Sequence, residues 1–219
     1  TTFDSSGNNY HGTCTGTSCP SYLINGGYDG KGAYSFDGND YITLGDNDNL
    51  DFETNSFTIM HWFKTSSSIN SYMINKRASS NKPGYDIING LANVNGDITA
   101  RLQGVSVAKQ TDKWISTSDN QWHHLALVVD RVNRRMKLYG DGNLISNIDI
   151  SAITDSISNT QSFQIGARNG ANFYIGLLDD VSIYNGALTD DQIRELAVSG
   201  ASIASMNGYT LKLVEPQPV

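Results

Sequence analysis

Gly176-Leu177-Leu178-Asp179-Asp180-Val181-Ser182-Ile183-Tyr184-Asn185-Gly186 alternates apolar and polar residues and ends in a turn-forming Asn-Gly pair. A period of two is the mark of a strand with one buried face. It sets Val181 and Ile183 on one side, and Leu178, Ser182 and Tyr184 on the other. Asp is a poor strand former because its carboxylate competes for backbone hydrogen bonds. Two in succession at 179 and 180 ask for a positive partner: a cation, an arginine, or a nest of backbone N–H groups.

Outward from this stretch the chain keeps the same character. Ala33–Phe36 and Tyr41–Leu44 read as strands joined by a hairpin-type turn at Asp37-Gly38-Asn39-Asp40. Ser56–Lys64 places Phe57, Ile59, His61 and Phe63 on one face, and Thr58, Met60 and Trp62 on the other. Further strands are expected at Tyr72–Asn75, Tyr85–Ile88, Asp97–Leu102, Gly104–Ala108, Trp122–Asp130, Arg135–Tyr139, Asn143–Ile145 and Ser162–Gly166. One helix is expected after Thr189-Asp190-Asp191-Gln192, a capping box with acids in the first turn. Its apolar face is Ile193, Leu196 and Ala197, and Ser199-Gly200 ends it. Strands in this number with a single terminal helix make an all-β chain of two packed antiparallel sheets.

At 219 residues the chain suits one large β domain, assigned to residues 1–200. Residues 201–219, ending in Glu215-Pro216-Gln217-Pro218, read as a C-terminal extension or linker toward neighbouring domains. A net charge of −7 argues against a nucleic-acid partner or an anionic membrane surface. No apolar run approaches the roughly 20 residues of a membrane span, so membrane insertion is not expected. No signal peptide is seen, which suits a mature or excised piece. Cys14 and Cys19 flank a Gly-containing turn on which a disulfide is feasible, implying an oxidising compartment; two reduced surface thiols are the alternative.

The segment order resembles the LamG-like family of the concanavalin A-like lectin/glucanase superfamily. The resemblance rests on Asp4-x-Ser-Gly-Asn, Ala33-Tyr-Ser-Phe-Asp-Gly-Asn-Asp-Tyr-Ile, Ser56-Phe-Thr-Ile-x-x-Trp-Phe-Lys and Trp122-His-His-Leu-Ala. It rests equally on Lys137-Leu-Tyr-x-Asp-Gly, Ile165-Gly-Ala-Arg and Gly176-Leu-Leu-Asp-Asp-Val-Ser-Ile-Tyr-Asn-Gly-Ala-Leu-Thr. Each is weak alone, but together they span residues 4–198 in the family's order. The resemblance implies a jelly-roll β-sandwich of two curved antiparallel sheets with one short C-terminal helix. It also implies a secreted or cell-surface multidomain protein and a frequent calcium ion. Carbohydrate or a cell-surface protein would be the partner, and the fold leaves open which.

Calcium takes six to eight oxygens from carboxylates, amides and backbone carbonyls. The candidates are Asp4 and Asn8 near the N-terminus, Asp37 in its turn, and Asp179 with Asp180, the pair the resemblance favours. Terminal strands lying side by side would let Asp4 meet Asp179 and Asp180 around a structural ion. Against this, an arginine or a turn can satisfy the pair, and Asp4 can simply start an Asx-turn.

An enzyme is not expected. Retaining glycanases need two carboxyls about 5–5.5 Å apart, and the only glutamates are the scattered Glu53, Glu195 and Glu215. His123 and His124 face opposite ways in a strand, so one of them is a core histidine. Sugar sites pair an aromatic platform with a few fixed polar groups. The candidates are Tyr72, Lys76, Arg77, Tyr85, Arg101, Trp114, Arg168, Asn169 and Phe173, with Asn172 beside the last. Ordinary packing is the alternative for each. Trp62 and Trp122 read as packing residues. The expected function is a non-catalytic, lectin-like binding module. A protein-binding adhesion or spacer domain is the main rival, and a polysaccharide-cleaving enzyme a more distant one.

Overall fold

The alternating segments become strands of two antiparallel sheets in the computed structural model of the chain, which describes residues 2–79, 81–90, 96–199 and 209–214. In chain order they are β1 (Phe3–Asp4), β2 (Ser21–Leu23), β3 (Ala33–Asp37), β4 (Ile42–Thr43), β5 (Phe57–Lys64), β6 (Ser71–Lys76), β7 (Gly84–Asn89) and β8 (Ile98–Gln103). They continue with β9 (Ala108–Gln110), β10 (His123–Asp130), β11 (Arg135–Gly140), β12 (Asn143–Asp149), β13 (Gln164–Ile165) and β14 (Ile175–Tyr184). Helix α1 (Asp190–Ser199) and β15 (Tyr209–Val214) close the chain. A nine-stranded sheet runs β1-β15-β14-β5-β10-β11-β12, with β3 also on β14 and β2 on β3; a six-stranded sheet runs β4-β13-β6-β7-β8-β9. This is the expected jelly-roll sandwich.

Period-two alternation builds the core between the sheets. Phe57, Ile59, Phe63, Leu125, Leu127 and Val129 come from the larger sheet and meet Met73, Ile74, Ile87, Ala100 and Leu102 from the smaller. On the other side of the larger sheet, Met60, Ala126, Val128, Tyr139 and Tyr184 pack under Leu188, Ile193 and Leu196. Helix α1 is therefore a cover for that outer face. Its capping box forms as expected: the Gln192 Oε1 accepts from Thr189 N at 2.8 Å and the Thr189 Oγ1 from Gln192 N at 3.3 Å. Lys137 and the Tyr139 hydroxyl both donate to Asp190 in the helix's first turn.

Four expectations change. Residues Asp37–Asp40 do not close a hairpin, because β3 pairs with β14 and β2 while β4 pairs with β13 in the other sheet. The chain crosses between layers there so that Phe36 and Ile42 both enter the core. Gly104–Ala108 is mostly a turn, closed by Gly104 N donating to Val107 O, and the strand begins only at Ala108. Leu178 joins Val181 and Ile183 in the core instead of facing away from them. A bulge between Asp179 and Ser182 inserts one extra residue in β14 against β5 and resets the alternation; Asp180 takes a left-handed φ of 47° within it. Finally, the expected linker contains β15, which pairs with both β1 and β14; residues 201–208 and 215–219 lie outside the described residues.

Candidate ligand-binding site

The side of the six-stranded sheet turned away from the core carries a polar row. Register pairs Gln164 with Asn75, Asn75 with Asp86, Asp86 with Arg101, and Arg101 with Gln110, so one residue from each of five strands falls in line. Asp86 is fully buried at the centre. Its Oδ2 accepts from Arg77 Nε at 2.8 Å and forms an ion pair with Arg77 Nη2 at 2.7 Å, and its Oδ1 accepts from Arg101 Nε at 2.9 Å. Arg101 Nη2 and Arg168 Nη1 both donate to the Tyr72 hydroxyl, at 3.0 and 2.7 Å. Both guanidiniums lie over the Tyr72 ring, 5.9 and 5.2 Å from its centroid. Arg168 Nη2 and Asn169 Nδ2 donate to the Ala78 carbonyl, tying the loop after β13 to the loop after β6.

Electrostatically this face is positive. Burial lowers the Arg77 pKa from its ordinary value; the carboxylate of Asp86 opposes that, and the charges of Arg101 and Arg168 add to it. For Arg101 the two contacts with Asp86 outweigh burial, and its pKa is raised. Asn75 Oδ1 and Thr99 Oγ1 are buried with no hydrogen-bond partner among the described residues. Polar side chains of this kind on a sheet face are what a polar ligand or its water would satisfy.

The Asp179–Asp180 pair lies on the opposite sheet. β3 pairs along residues 175–178 and β15 along 182–184, and the acids sit in the interval between them. The loop carrying Tyr28 fills that interval. Asp179 accepts from Tyr28 N at 3.3 Å and from Asp180 N at 2.8 Å, while Asp180 accepts from the Tyr28 hydroxyl at 3.3 Å. The Tyr28 ring stacks on Trp62 at 4.0 Å. Of the three partners considered for the pair, backbone N–H groups meet Asp179, and the charge of Lys31 acts on both carboxylates. Burial, then the charge of Asp180, pushes the Asp179 carboxyl up to about 7.

A sequence model of the concanavalin A-like lectin/glucanases superfamily, of the laminin G type, matches residues 36–194, more than half of the chain. The chain belongs to this superfamily. No curated protein matches its sequence. Among solved structures, the binding domain of Paraclostridial Mosquitocidal Protein 1 aligns with 89% of this chain and 48% of its own at TM-score 0.70 and 18% identity. The botulinum neurotoxin serotype G binding domain aligns with 90% of this chain and 48% of its own at 0.68 and 18%. Domain 4 of AbnA, a GH43 extracellular arabinanase from Geobacillus stearothermophilus solved with arabinotriose, aligns with 84% of this chain and 82% of its own at 0.62 and 23%. This chain spans about half the length of the toxin binding domains it matches. Identities this low establish the shared fold.

Within this superfamily fold, alternation divides the expected ligand residues. Arg77 and Arg101 meet on Asp86, Arg101 and Arg168 on the Tyr72 hydroxyl, and Arg168 and Asn169 on the Ala78 carbonyl. Lys76 and Tyr85 face the other way. Tyr85 is fully buried among Phe52, Phe57 and Phe163, with its hydroxyl donating to Leu50 O at 2.7 Å. Trp114 packs edge-on to Phe63 and His123. Gly140 makes room for it, since a Cβ there would lie 2.5 Å from the indole. Phe173 is half-buried with its ring 6.3 Å from that of Tyr41, and the Asn172 carbonyl accepts from Tyr72 N.

The metal candidates do not form one cage. Asp4 accepts from Ser6 N, Ser6 Oγ and Tyr10 N, an Asx-turn, and Asn8 bonds Ser6 Oγ. β15 separates the strand of Asp4 from that of Asp179. Asp37 accepts from Asn39 N and pairs with Ile175, four residues along β14 from Asp179. Among the described residues the acids that do cluster are Asp46, Asp48 and Asp51. The ammonium of Lys76 is set against them, with Asp46 at 3.1 Å, Asp51 at 2.9 Å and the Gln161 carbonyl at 2.9 Å. That lysine has no exposed side-chain surface, so it balances an acidic cluster and is withdrawn from any ligand. Cys14 and Cys19 are joined as a disulfide. Asp86, Asn75 and Thr99 were missed by the sequence reading. The available signal was an acid inside the otherwise apolar run Tyr85-Asp86-Ile87-Ile88.

Proposed function

We propose that this domain is a non-catalytic carbohydrate-binding module of a secreted or cell-surface multidomain protein, and that its ligand sits on the outer face of the six-stranded sheet. The observation that carries this reading is the convergence of Tyr72, Arg101 and Arg168 above a buried polar row. An aromatic ring and fixed donors from three separate strands and loops are the parts a sugar site needs. The arabinotriose complex of a domain with the same fold supports sugar as the ligand class. Asp86 is the carboxylate at the centre of this face, and it is engaged by two guanidiniums. A single engaged carboxylate does not make the acid/base pair of a glycanase. The disulfide supports an oxidising, extracellular setting.

A structural calcium ion belongs to the reading, seated at Asp179 and Asp180. Their mutual repulsion, increased by Asp29 nearby, is what a divalent cation relieves. Two measurements test the proposal. Binding on a glycan array should be seen and should be lost in Arg101→Ala; an array with no bound glycan sinks the sugar reading in favour of an adhesion or spacer domain. The melting temperature should fall on chelation, and the fall should vanish in the double variant Asp179→Ala, Asp180→Ala. An unchanged melting curve in EDTA removes the calcium.

A further inference from the structure

Resting on the sugar-site reading, we propose that the ligand of this face is an acidic saccharide, one whose sugar carries a carboxylate or a sulfate, held by Arg101, Arg168 and the Tyr72 hydroxyl. Arg77 and Arg101 pair with one carboxylate, that of Asp86, and Arg168 adds a third guanidinium beside them through the Tyr72 hydroxyl that it shares with Arg101. The excess is two positive charges on a half-buried face of a chain whose net charge is −7, so it does not follow from overall composition.

Arg168 is the most telling member. Its hydrogen bonds go to neutral acceptors, the Tyr72 hydroxyl and the Ala78 carbonyl, and no carboxylate among the described residues bridges it. A guanidinium taken partly out of water without an anion is costly, and its planar fork matches carboxylate or sulfate oxygens. Tyr72 adds a second argument. A hydroxyl accepts two hydrogen bonds and donates one. Both acceptor positions of Tyr72 are used by Arg101 and Arg168, which leaves its proton to donate outward. The groups left around Tyr72 are therefore donors, and the unpaired acceptor of this face, Asn75 Oδ1, has no exposed surface. A neutral sugar hydroxyl asks for donors and acceptors together, whereas an anion asks for donors alone.

The test is titration calorimetry of the purified chain with polygalacturonate, dextran sulfate, neutral galactan, neutral dextran and poly-L-glutamate. Binding is expected to one or both acidic polysaccharides; which of the two distinguishes carboxylate from sulfate. Arg168→Gln removes a charge that no carboxylate pairs, so the fold survives, and it should weaken binding about tenfold or more. Arg168→Lys should restore part of the loss, and Tyr72→Phe, which keeps the ring, should weaken binding as well. Arg194→Gln on the helix is the control and should change nothing. Preference for the neutral polymers, with Arg168 still required, overturns the acidic ligand while keeping the sugar site. Equal binding of poly-L-glutamate reassigns the face to acidic peptides and overturns the inference. Silence with every polymer overturns the inference together with the sugar site.

Discussion

Asp86 pairs with two guanidiniums at once in a place closed to water, and the consequences of removing it differ from those of removing its neighbours. Asp86→Ala strands the charges of Arg77 and Arg101, and a stability loss of about 3–5 kcal/mol is expected in urea unfolding. Arg168→Gln should cost about 1 kcal/mol or less, because it leaves no opposite charge behind. Two histidines lower the stability in acid. Burial lowers His61 to about 3, with His124 adding to the effect, and lowers His124 to about 4. The unfolded chain takes up these protons near pH 6.5 while the folded chain refuses them. The stabilisation is thus complete above pH 6.5 and declines as pH falls toward 4, by about 1.4 kcal/mol per pH unit per proton. Asp179, held up to about 7, works the other way and offsets about one proton of this slope. His124→Gln should shift the slope by about 1.4 kcal/mol per pH unit toward higher stability in acid between pH 4.5 and 6.5; an unaltered slope refutes the assignment. His123 acts in the other window. Burial opposes its proton, but the bonds to Asp141 and Asp119 prevail and raise its pKa, so its stabilisation is lost only as pH rises above the ordinary value.

At the scale of elements, β14 shows how one extra residue reorganises a strand. The bulge at Asp180 turns Asp179 toward Trp62 and returns Val181 to the core, where strict alternation would have placed Leu178 and Val181 on opposite faces. Asp180 holds a left-handed conformation that a β-branched side chain resists. Asp180→Val should destabilise by about 1–2 kcal/mol more than Asp180→Gly; equal effects refute the account of the bulge. The helix permits an independent check. Thr189→Ala removes one half of the capping box and should cost about 1 kcal/mol in urea unfolding. The helix was legible because its signal is local: a capping box, two acids and an apolar face within eleven residues. The hairpin expected at Asp37–Asp40 failed for the opposite reason. Its turn residues are real, with Gly38 at φ 104°, but strands on either side of a turn need not pair, and here each joined a different sheet.

For the whole molecule, β15 joins residues 209–214 to the nine-stranded sheet. It lies between β1 and β14, so removing it would expose the backbone donors and acceptors of both. A chain cut after Ser199 should melt about 5–10 °C lower than the 219-residue chain and self-associate through the opened edge. Equal melting temperatures and a monomeric elution profile would restore residues 201–219 to the role of a linker.

Local signals in the sequence determined the sandwich, the helix and its cap, the two faces of β5, and the opposed histidines. Each depends on side-chain periodicity or on residues a few positions apart, and these survive in any sheet arrangement. The candidate site was half legible: Tyr72, Arg77, Arg101, Arg168 and Asn169 are recognisable as residue types. Only the tertiary structure decided that Arg77 and Arg101 meet on Asp86 with Tyr72 beside them, because the pairing of β6, β7 and β8 sets residues from 9 to 29 apart in sequence side by side. It also decided that Lys76 turns inward, since a bulge between Tyr72 and Ile74 sets the phase of β6, and its register partner Tyr85 in β7 shares that face. The Asp179–Asp180 pair shows the same division. Two carboxylates in a strand announce a need for partners. Which partners meet them depends on Tyr28, about 150 residues away in the chain, and contact over that distance is fixed by packing and not by local pattern.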